Sequence, residues 1–405
     1  MRVLVCPAMM EIGGSQLNAI ELAAAVRDLG HEVVVYGPPG VLVERVLASG
    51  LEHVVAPREN AWPTRAGTAA LRRLVRDRAI DVVHAYEWGP AVDAALGPHL
   101  VAGVPLVVTV LSMSVPDVVP REVPLVVGTA DLVAGSAGRR GPTLLMEPPI
   151  DTHSNAPGAE AQARAALGLQ PDDVVLTVVG RLVDDLGKLP GVLDAIAVAD
   201  QLADRGVRLV VAGGGPGLAA VRQAAEEVND RQGRRVVVVT GPLLDPRDAY
   251  AAADVVLGMG SSALKGMAFG KPLVVQGAEG FWRRMDPTTV DEFLAQGWWG
   301  LGGRGRSDLL DALLPLLDDD GLRERLGAAG RALVQERFSL ERASRWLVDL
   351  YERAVDEQPT TTRRIADVVA TAGRVARLKL ALARDGLGQR PAAADAGSTA
   401  AQVVA

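Results

Sequence analysis

Two cations stand close together after a valine-rich segment in the second half of the chain. Gly180-Arg181 directly follows the apolar run Val174–Val179, and Lys188 comes soon afterwards. Parallel α/β sheets bind ligands at the carboxyl ends of their strands. A diphosphate leaving group gains negative charge as its bond breaks, and fixed cations stabilise that charge. The pair is therefore suited to a diphosphate, although two solvated loop cations explain the pattern equally well.

Two glycine-rich turns offer a second kind of phosphate contact. Gly13-Gly14-Ser15 opens a helical pattern, and Gly213 to Gly217 follows the apolar run Leu209–Ala212. Glycine lets the backbone approach a ligand closely, and the amides at a helix start attract phosphate. Neither turn completes a dinucleotide fingerprint, and Gly266–Lys271 lacks the P-loop spacing. A nicotinamide site and a P-loop are both disfavoured, and a purely structural role for the turns remains the alternative.

Other chemistries have less support in the sequence. We find no set of His, Cys, Asp and Glu residues with metal-ligand spacing, so we expect neither a metal nor another cofactor. Cys6 is the single cysteine, which excludes a disulfide framework. The net charge of -7 and an aromatic content of 3% argue against nucleic-acid binding. Trp282, Trp298 and Trp299 either border a sugar site or pack beneath a long loop.

Short apolar runs alternate with helical patterns along most of the chain. These runs are nearly continuous in apolar character, which is typical of parallel strands covered on both faces. We predict a doubly wound parallel α/β fold. The predicted strands are Arg2–Val5, Glu32–Tyr36, His53–Val55, Asp81–His84, Pro105–Val110, Leu132–Ala134, Val174–Val179, Arg208–Ala212, Arg235–Thr240, Val255–Leu257 and Pro272–Val275.

A proline-rich break at Glu147–Asp151 separates two such series of strands. We predict an N-terminal domain over 1–150, a C-terminal domain over 151–339, a helix over 340–356 and a tail over 357–405. In the tail, Val368, Val375, Leu378 and Leu382 recur at helical spacing, and Arg374, Arg377 and Arg384 lie together elsewhere on the predicted helix. From Pro391 onward the composition predicts disorder.

A basic amphipathic helix of this kind packs on its own protein, docks on a partner or lies on an anionic membrane. We favour the first. The apolar run at Met1–Pro7 is too short for a signal peptide, and no segment has the length of a membrane span. We expect a cytoplasmic protein, with peripheral contact at the inner membrane face as the alternative. The sequence does not predict an oligomeric state.

The order and spacing of these motifs resemble the retaining glycosyltransferases of the GT-B fold, specifically glycosyltransferase family 4 (glycosyl transferases group 1) of the actinobacterial type. The resemblance extends from Met1 to about Val355. It rests on Gly13-Gly14-Ser15, Gly30-His31-Glu32-Val33, Asp81-Val82-Val83-His84, Pro149-Ile150-Asp151, Gly180-Arg181 with Lys188, Gly213-Gly214-Gly215-Pro216, Tyr250–Val255 and Gly266–Pro272. It implies two Rossmann-like domains facing across a cleft, with 1–150 on the acceptor side, 151–339 binding the donor, and helix 340–356 crossing back to the first domain.

The resemblance also implies a nucleotide-sugar donor and assigns residues to it. The phosphates are contacted by Gly13, Gly14 and Ser15 from the first domain and by Gly180, Arg181 and Lys188 from the second, while Gly214 and Gly215 lie near the nucleotide. Arg181 and Lys188 stabilise the leaving diphosphate. The family is similar in retaining anomeric configuration without a metal, the leaving phosphate helping to deprotonate the acceptor. Glu279 lies where the family contacts donor-sugar hydroxyls.

The sequence departs from the family pattern in two features. Two glutamates are usual around the loop that contains Ser261 and Ser262; neither is present, and Lys265 occupies the second position. Lysine has only donors and cannot accept hydrogen bonds from ribose hydroxyls. Tyr86 stands where the family often has a histidine that reaches the sugar; we predict that it donates a hydrogen bond there.

Three interpretations follow from these departures. In the first, an active enzyme holds ribose through Ser261, Ser262 and backbone amides, and moves a sugar to a hydroxyl of a small natural product or a cell-envelope acceptor. In the second, Lys265 binds an additional anionic group, and the donor is a phosphorylated sugar such as phosphoribosyl diphosphate. In the third, the protein binds nucleotide sugars without catalysis. We favour the first because Arg181, Lys188 and the glycine turns are all present.

Overall fold

The computed structural model describes residues 1–57 and 63–384. The predicted disorder after Pro391 lies outside the described residues. The chain forms two compact units. The first unit comprises Met1–Pro148 and the described chain from Leu340 onward; the second unit comprises Pro149–Ser339.

The first unit contains a seven-stranded sheet in which all neighbouring strands are parallel. Its strands are β1 (Arg2–Cys6), β2 (Glu32–Gly37), β3 (Glu52–Val55), β4 (Val82–Tyr86), β5 (Leu106–Val110), β6 (Leu125–Val127) and β7 (Thr143–Leu145). Their order is β3-β2-β1-β4-β5-β6-β7. The order reverses between β1 and β4, so the carboxyl ends of these two strands form the topological switch point of this unit.

Side chains of one strand alternate between two hydrophobic clusters, one on each face of this sheet. From β1, Val3 and Val5 enter one cluster, and Leu4 and Cys6 enter the other. This alternation follows from the two-residue period of a strand. It explains why the strands of this unit are apolar throughout, and it confirms the predicted parallel sheet with both faces covered.

Six α-helices accompany these strands in the described part of Met1–Pro148. They are α1 (Gly14–Asp28), α2 (Val43–Ala48), α3 (Arg65–Asp77), α4 (Trp88–Ala94), α5 (Leu100–Ala102) and α6 (Ala130–Gly135), with a π-helical segment at Ala95–His99 joining α4 to α5. The predicted strand at Leu132–Ala134 is wrong, because these residues lie in α6. The Thr129 side chain accepts a hydrogen bond from the Leu132 amide at 3.3 Å, which is an N-cap and favours a helix there.

The second unit contains a six-stranded sheet in the order β10-β9-β8-β11-β12-β13. Its strands are β8 (Val174–Val179), β9 (Val207–Ala212), β10 (Val237–Gly241), β11 (Val255–Gly258), β12 (Leu273–Gln276) and β13 (Trp282–Arg284). All pairs are parallel except β12 with β13, which is antiparallel. The switch point of this unit lies between β8 and β11.

Helices cover both faces of the second sheet and enclose two hydrophobic clusters. They are α7 (Glu160–Leu167), α8 (Lys188–Gln201), α9 (Leu218–Gln232), α10 (Arg247–Ala252), α11 (Gly260–Ala268), α12 (Val290–Gln296), α13 (Arg306–Asp318) and α14 (Asp320–Arg337), with a 3-10 turn at Ala203–Arg205. Helix α7 follows the proline-rich break at Glu147–Asp151. The two-sheet α/β fold class is thereby confirmed.

Two helices end the described chain, α15 (Leu340–Asp356) and α16 (Thr361–Arg384). Helix α15 packs against α1 and adds Leu347, Leu350 and Tyr351 to a hydrophobic cluster of the first unit. Helix α16 contacts α5 and the π-helical segment. Among the described residues, no helix has the length and apolar character needed to cross a membrane.

Candidate active site

The switch point of the second unit brings two of the predicted segments together. Gly180 and Arg181 follow β8, while Ser261 and Ser262 lie in the first turn of α11, immediately after β11. The Ser262 hydroxyl donates to the Val179 carbonyl at 2.7 Å and so joins the ends of the two strands. These groups therefore share the edge of the sheet at which parallel α/β proteins bind ligands.

Arg181 and Lys188 meet on one carboxylate at this edge. Lys188 Nζ lies 2.6 Å from one oxygen of Asp185, and an Arg181 guanidinium nitrogen lies 3.6 Å from the other. The Lys188 side chain is 20% exposed and that of Arg181 is 50% exposed. Burial lowers the pKa of Lys188, and Asp185 opposes that shift. An incoming diphosphate would be an additional anion for two cations that already share one carboxylate.

Two side chains from elsewhere in the unit donate hydrogen bonds to the turn that precedes Lys188. Leu186 and Gly187 both adopt positive φ, at 49° and 75°. Gln276 Nε2 donates to the carbonyls of Gly187 and Lys188, each at 3.0 Å, and Trp299 Nε1 donates to the Leu186 carbonyl at 3.2 Å. Gln276 is 3% exposed, so its two bonds are sheltered from water. The position of Lys188 therefore depends on β12 and on the segment that contains Trp299.

The glycine turn after β9 packs on the backbone that follows β8. The Gly217 amide donates to the Leu182 carbonyl, and the Leu182 amide donates to the Gly214 carbonyl, both at 2.8 Å. A Cβ atom on Gly213 would lie 1.9 Å from the Gly180 carbonyl oxygen. Packing within the protein thus explains the glycine at 213. Contact of Gly214 and Gly215 with a nucleotide stays a prediction.

Lys265 and Glu279 lie on different elements of the same unit. Lys265 is half-buried one helical turn after Ser261 on α11, so the two residues share a helix face. Glu279 is exposed in the turn after β12, with a positive φ of 54°, and its carbonyl accepts from the Gly303 amide at 2.9 Å. Their proposed contacts with an additional anion and with donor-sugar hydroxyls stay predictions.

Two of the clustered tryptophans belong to the hydrophobic core. Trp282 is 4% exposed and Trp298 is 2% exposed. The Trp298 ring packs against Phe293 and Phe338, with ring centroids 6.0 Å apart in each pair. Packing beneath the loop is therefore the better interpretation for these two rings, whereas Trp299 fastens the turn before Lys188.

In the first unit, Glu87 forms the centre of a hydrogen-bonded group at the switch point. It follows β4 directly, with a positive φ of 66° that a residue with a side chain rarely adopts. Its carboxylate accepts from the Ser15 hydroxyl at 2.9 Å, the Leu111 amide at 3.0 Å and the Ser112 hydroxyl at 2.8 Å. The predicted turn Gly13-Gly14-Ser15 thus lies beside a carboxylate, and the Ser15 hydroxyl is already bonded to it.

Tyr86, the residue before Glu87, does not reach this edge of the sheet. It is 1% exposed and lies in the hydrophobic cluster that contains Tyr351. Its ring centroid is 4.4 Å from that of His84, and burial raises its pKa. Side chains alternate along β4, so the ring of Tyr86 enters the core. This burial does not favour the predicted hydrogen bond from Tyr86 to a sugar.

Sequence reasoning missed Asp185, Gln276 and Glu87 as parts of these sites. Gln276 and Glu87 share a signal, since each is a polar residue at the carboxyl end of an apolar parallel strand. In residues 1–57 and 63–384, no group of three or more His, Cys, Asp or Glu side chains is arranged to hold a metal ion.

Comparison with known proteins matches each of the two units to a described protein family. The family described as Glycosyltransferase Family 4 matches residues 12–119, and Glycosyl transferases group 1 matches residues 173–298. A D-inositol 3-phosphate glycosyltransferase of Xylanimonas cellulosilytica is 29% identical, covering 87% of this chain and 94% of its own length.

Solved structures show the same fold. Anabaena Alr3699/HepE, in complex with UDP-glucose, has a TM-score of 0.69 at 17% identity and covers 87% of this chain and 99% of its own. A glycosyltransferase from Rickettsia africae ESF-5 also has a TM-score of 0.69, at 14% identity, covering 88% of this chain and 99% of its own.

Two parallel-sheet units with these neighbours define the GT-B fold. The chain is a glycosyltransferase enzyme with a Glycosyltransferase Family 4 domain in its first unit and a Glycosyl transferases group 1 domain in its second. The family resemblance, the GT-B fold and the enzyme class are all confirmed.

Proposed function

We propose that the enzyme transfers a sugar from a nucleotide-sugar donor to a hydroxyl of a small-molecule or cell-envelope acceptor. The transfer retains the anomeric configuration and needs no metal ion. The observation that carries this proposal is the pair Arg181 and Lys188 at the switch point of the group 1 domain. The UDP-glucose bound to HepE supports a nucleotide-sugar donor for a protein of this fold.

Arg181 and Lys188 perform the electrostatic part of the reaction. As the glycosidic bond to phosphate breaks, the diphosphate gains charge, and both cations bind it more strongly in the transition state than in the ground state. Asp185 holds the two cations together before the donor binds. Lys188 is held in position by the bonds of Gln276 to the turn.

In this proposal the acceptor binds to the first unit. The inositol phosphate in the name of the Xylanimonas relative favours a polyhydroxylated acceptor. Glu87, at the switch point of the first unit, is the group we expect nearest the acceptor, because its carboxylate orients the Ser15 and Ser112 hydroxyls at that edge.

The test is a transfer assay with a panel of nucleotide sugars on the wild-type chain and two variants. We expect Arg181→Ala and Lys188→Ala each to lower kcat by ~10²-fold with little change in thermal stability. Arg205→Ala is the matched control, because Arg205 is an ion-paired cation before β9, at the opposite edge of the same sheet. Normal turnover in both site variants would refute the leaving-group assignment.

Two further measurements address stereochemistry and metal. Proton NMR of the product is expected to show the anomeric configuration of the donor, and turnover in EDTA should equal turnover in added Mg²⁺. An inverted product contradicts the retaining mechanism, and loss of turnover in EDTA contradicts metal independence.

A second candidate donor is favoured by Lys265. A cation on α11, one turn after Ser261, suits a donor with a phosphate in place of free ribose hydroxyls, such as phosphoribosyl diphosphate. A thermal-shift panel of nucleotides, nucleotide sugars and phosphoribosyl diphosphate separates the candidates. Stabilisation by phosphoribosyl diphosphate alone supports the second donor, and stabilisation by nucleotide sugars without transfer supports a binding protein.

A further inference from the structure

Helix α16 uses one face to dock on the first unit. Asp367, Val368, Thr371 and Val375 are between 0% and 7% exposed. Val368 and Val375 join separate hydrophobic clusters of that unit. The apolar face predicted from the sequence is therefore the docked face.

Polar contacts fix the helix in this orientation. The Asp367 carboxylate accepts from the backbone amides of Arg121, at 2.9 Å, and Glu122, at 3.0 Å. Near the other end, Lys379 Nζ donates to the Pro63 carbonyl at 3.1 Å, which places this part of α16 beside the start of α3. These contacts, one near each end of α16, hold the helix in the orientation that exposes its other face.

The opposite face of α16 presents a second apolar stripe. Ile365 is 45% exposed, Val369 64% and Leu380 59%. Ala372 and Ala376 lie between them and are also exposed. At 100° per residue, these five positions fall within about 80° around the helix, so they form one continuous line. Val101 of α5, the helix that α16 contacts, is a further exposed apolar residue at 56%.

Exposed cations without acidic partners lie on α16 and on α3. Arg377 lies about 60° from Leu380 around α16, Arg363 is exposed on a different face of that helix, and Arg65, Arg72 and Arg73 are exposed on α3. In residues 1–57 and 63–384, none of these five arginines forms an ion pair, although most other exposed arginines of the first unit do. Thr361–Arg384 contains six Arg or Lys and a single acid, the buried Asp367.

We propose that this face of α16, together with the start of α3, docks on an anionic lipid bilayer. An aliphatic line flanked by cations is the arrangement by which a helix lies in the plane of a membrane, with its side chains among the acyl chains and its arginines on the headgroups. The charge of this surface is positive, opposite in sign to the net charge of -7 of the whole chain, so the surface is complementary to anionic lipid. This inference does not depend on the identity of the donor.

The test is sedimentation of the full chain with vesicles of phosphatidylcholine alone or with about one third phosphatidylglycerol. We expect binding to the anionic vesicles only, and release when salt shortens the range of the charge interaction. V369D with L380D should lower binding at least tenfold, and so should R65Q with R377Q. All four residues are exposed, so the fold should persist, which circular dichroism checks.

The matched control is V41D with L47D, because Val41 and Leu47 are exposed apolar residues of the same unit outside α16. This control should bind vesicles like the wild type. The proposal is overturned if the wild-type chain ignores anionic vesicles or if the control loses binding equally. It is also overturned if sedimentation velocity without lipid shows a dimer that V369D with L380D abolishes, since the stripe then contacts a second copy.

Discussion

Some residues at the ends of strands adopt a backbone conformation that is rare for residues other than glycine. Glu87 is the clearest case, since a φ of 66° costs a non-glycine residue ~1 kcal/mol or more. Its carboxylate bonds to Ser15, Leu111 and Ser112 offset that cost. Glycine at this position would relieve the strain but would lose these three hydrogen bonds.

We predict that Glu87→Ala is less stable than Glu87→Gly. Both variants lose the three hydrogen bonds, but only alanine keeps the strain, so the free energies of unfolding should differ by ~1 kcal/mol in favour of glycine. Urea unfolding measures the difference. At Glu352, exposed in α15, the order should reverse, because glycine is the poorer residue in a helix interior. Equal stability of the two Glu87 variants would contradict the strain.

At the scale of elements, the sequence predicts helices and strands whose residues show a clear periodic pattern. It does not predict contacts between segments that are far apart in the chain. The long apolar strands and the final helices were predictable because their patterns are local. Strands β6, β7 and β13 have three residues each, too few to show a period. The bonds of Gln276 to the turn before Lys188 join segments 88 and 89 residues apart, which no local pattern encodes. The charge pair Arg181 and Lys188 was predictable, whereas the element that positions it was not.

Gln276 gives a prediction for the element that holds Lys188. Gln276→Leu and Gln276→Glu should each remove the two side-chain hydrogen bonds to this turn, at ~1–3 kcal/mol of stability, and should lower kcat more than they change the KM for donor. The glutamate variant keeps the size of the side chain, so it separates hydrogen bonding from packing. The control is Gln223→Leu, at an exposed position of α9, which should have the stability and turnover of the wild type. Full turnover in Gln276→Glu would show that Lys188 does not depend on these bonds.

For the whole molecule, buried His84 links distant parts of the chain. Its two ring nitrogens lie 2.7 Å from the Tyr351 hydroxyl in α15 and 2.7 Å from the Thr109 hydroxyl in β5. Burial lowers its pKa from 6.5 to about 3. Between pH 6.5 and about pH 3, His84 is protonated in the unfolded chain but not in the folded chain. The folded state therefore loses stability as the pH falls through this range.

We predict that this residue makes a measurable contribution to acid sensitivity. The free energy of unfolding should fall with a slope approaching ~1.4 kcal/mol per pH unit from His84 alone, in addition to the carboxylates. His84→Gln should be less stable at neutral pH and show a shallower slope in urea unfolding. His153→Gln, at an exposed position, should keep the wild-type slope. An unchanged slope in His84→Gln would contradict the assignment.

The contact between His84 and Tyr351 also has a consequence for biosynthesis. The second unit is one continuous stretch of chain, so a ribosome completes it before it reaches α15. The first unit begins earlier and finishes later, because Leu347, Leu350 and Tyr351 complete its core only after the whole second unit has been made. A nascent chain therefore holds an unfinished first unit while the second folds. A transcript cut short before α15 would yield a protein whose later-made half is whole and whose earlier-made half is open to proteases and chaperones.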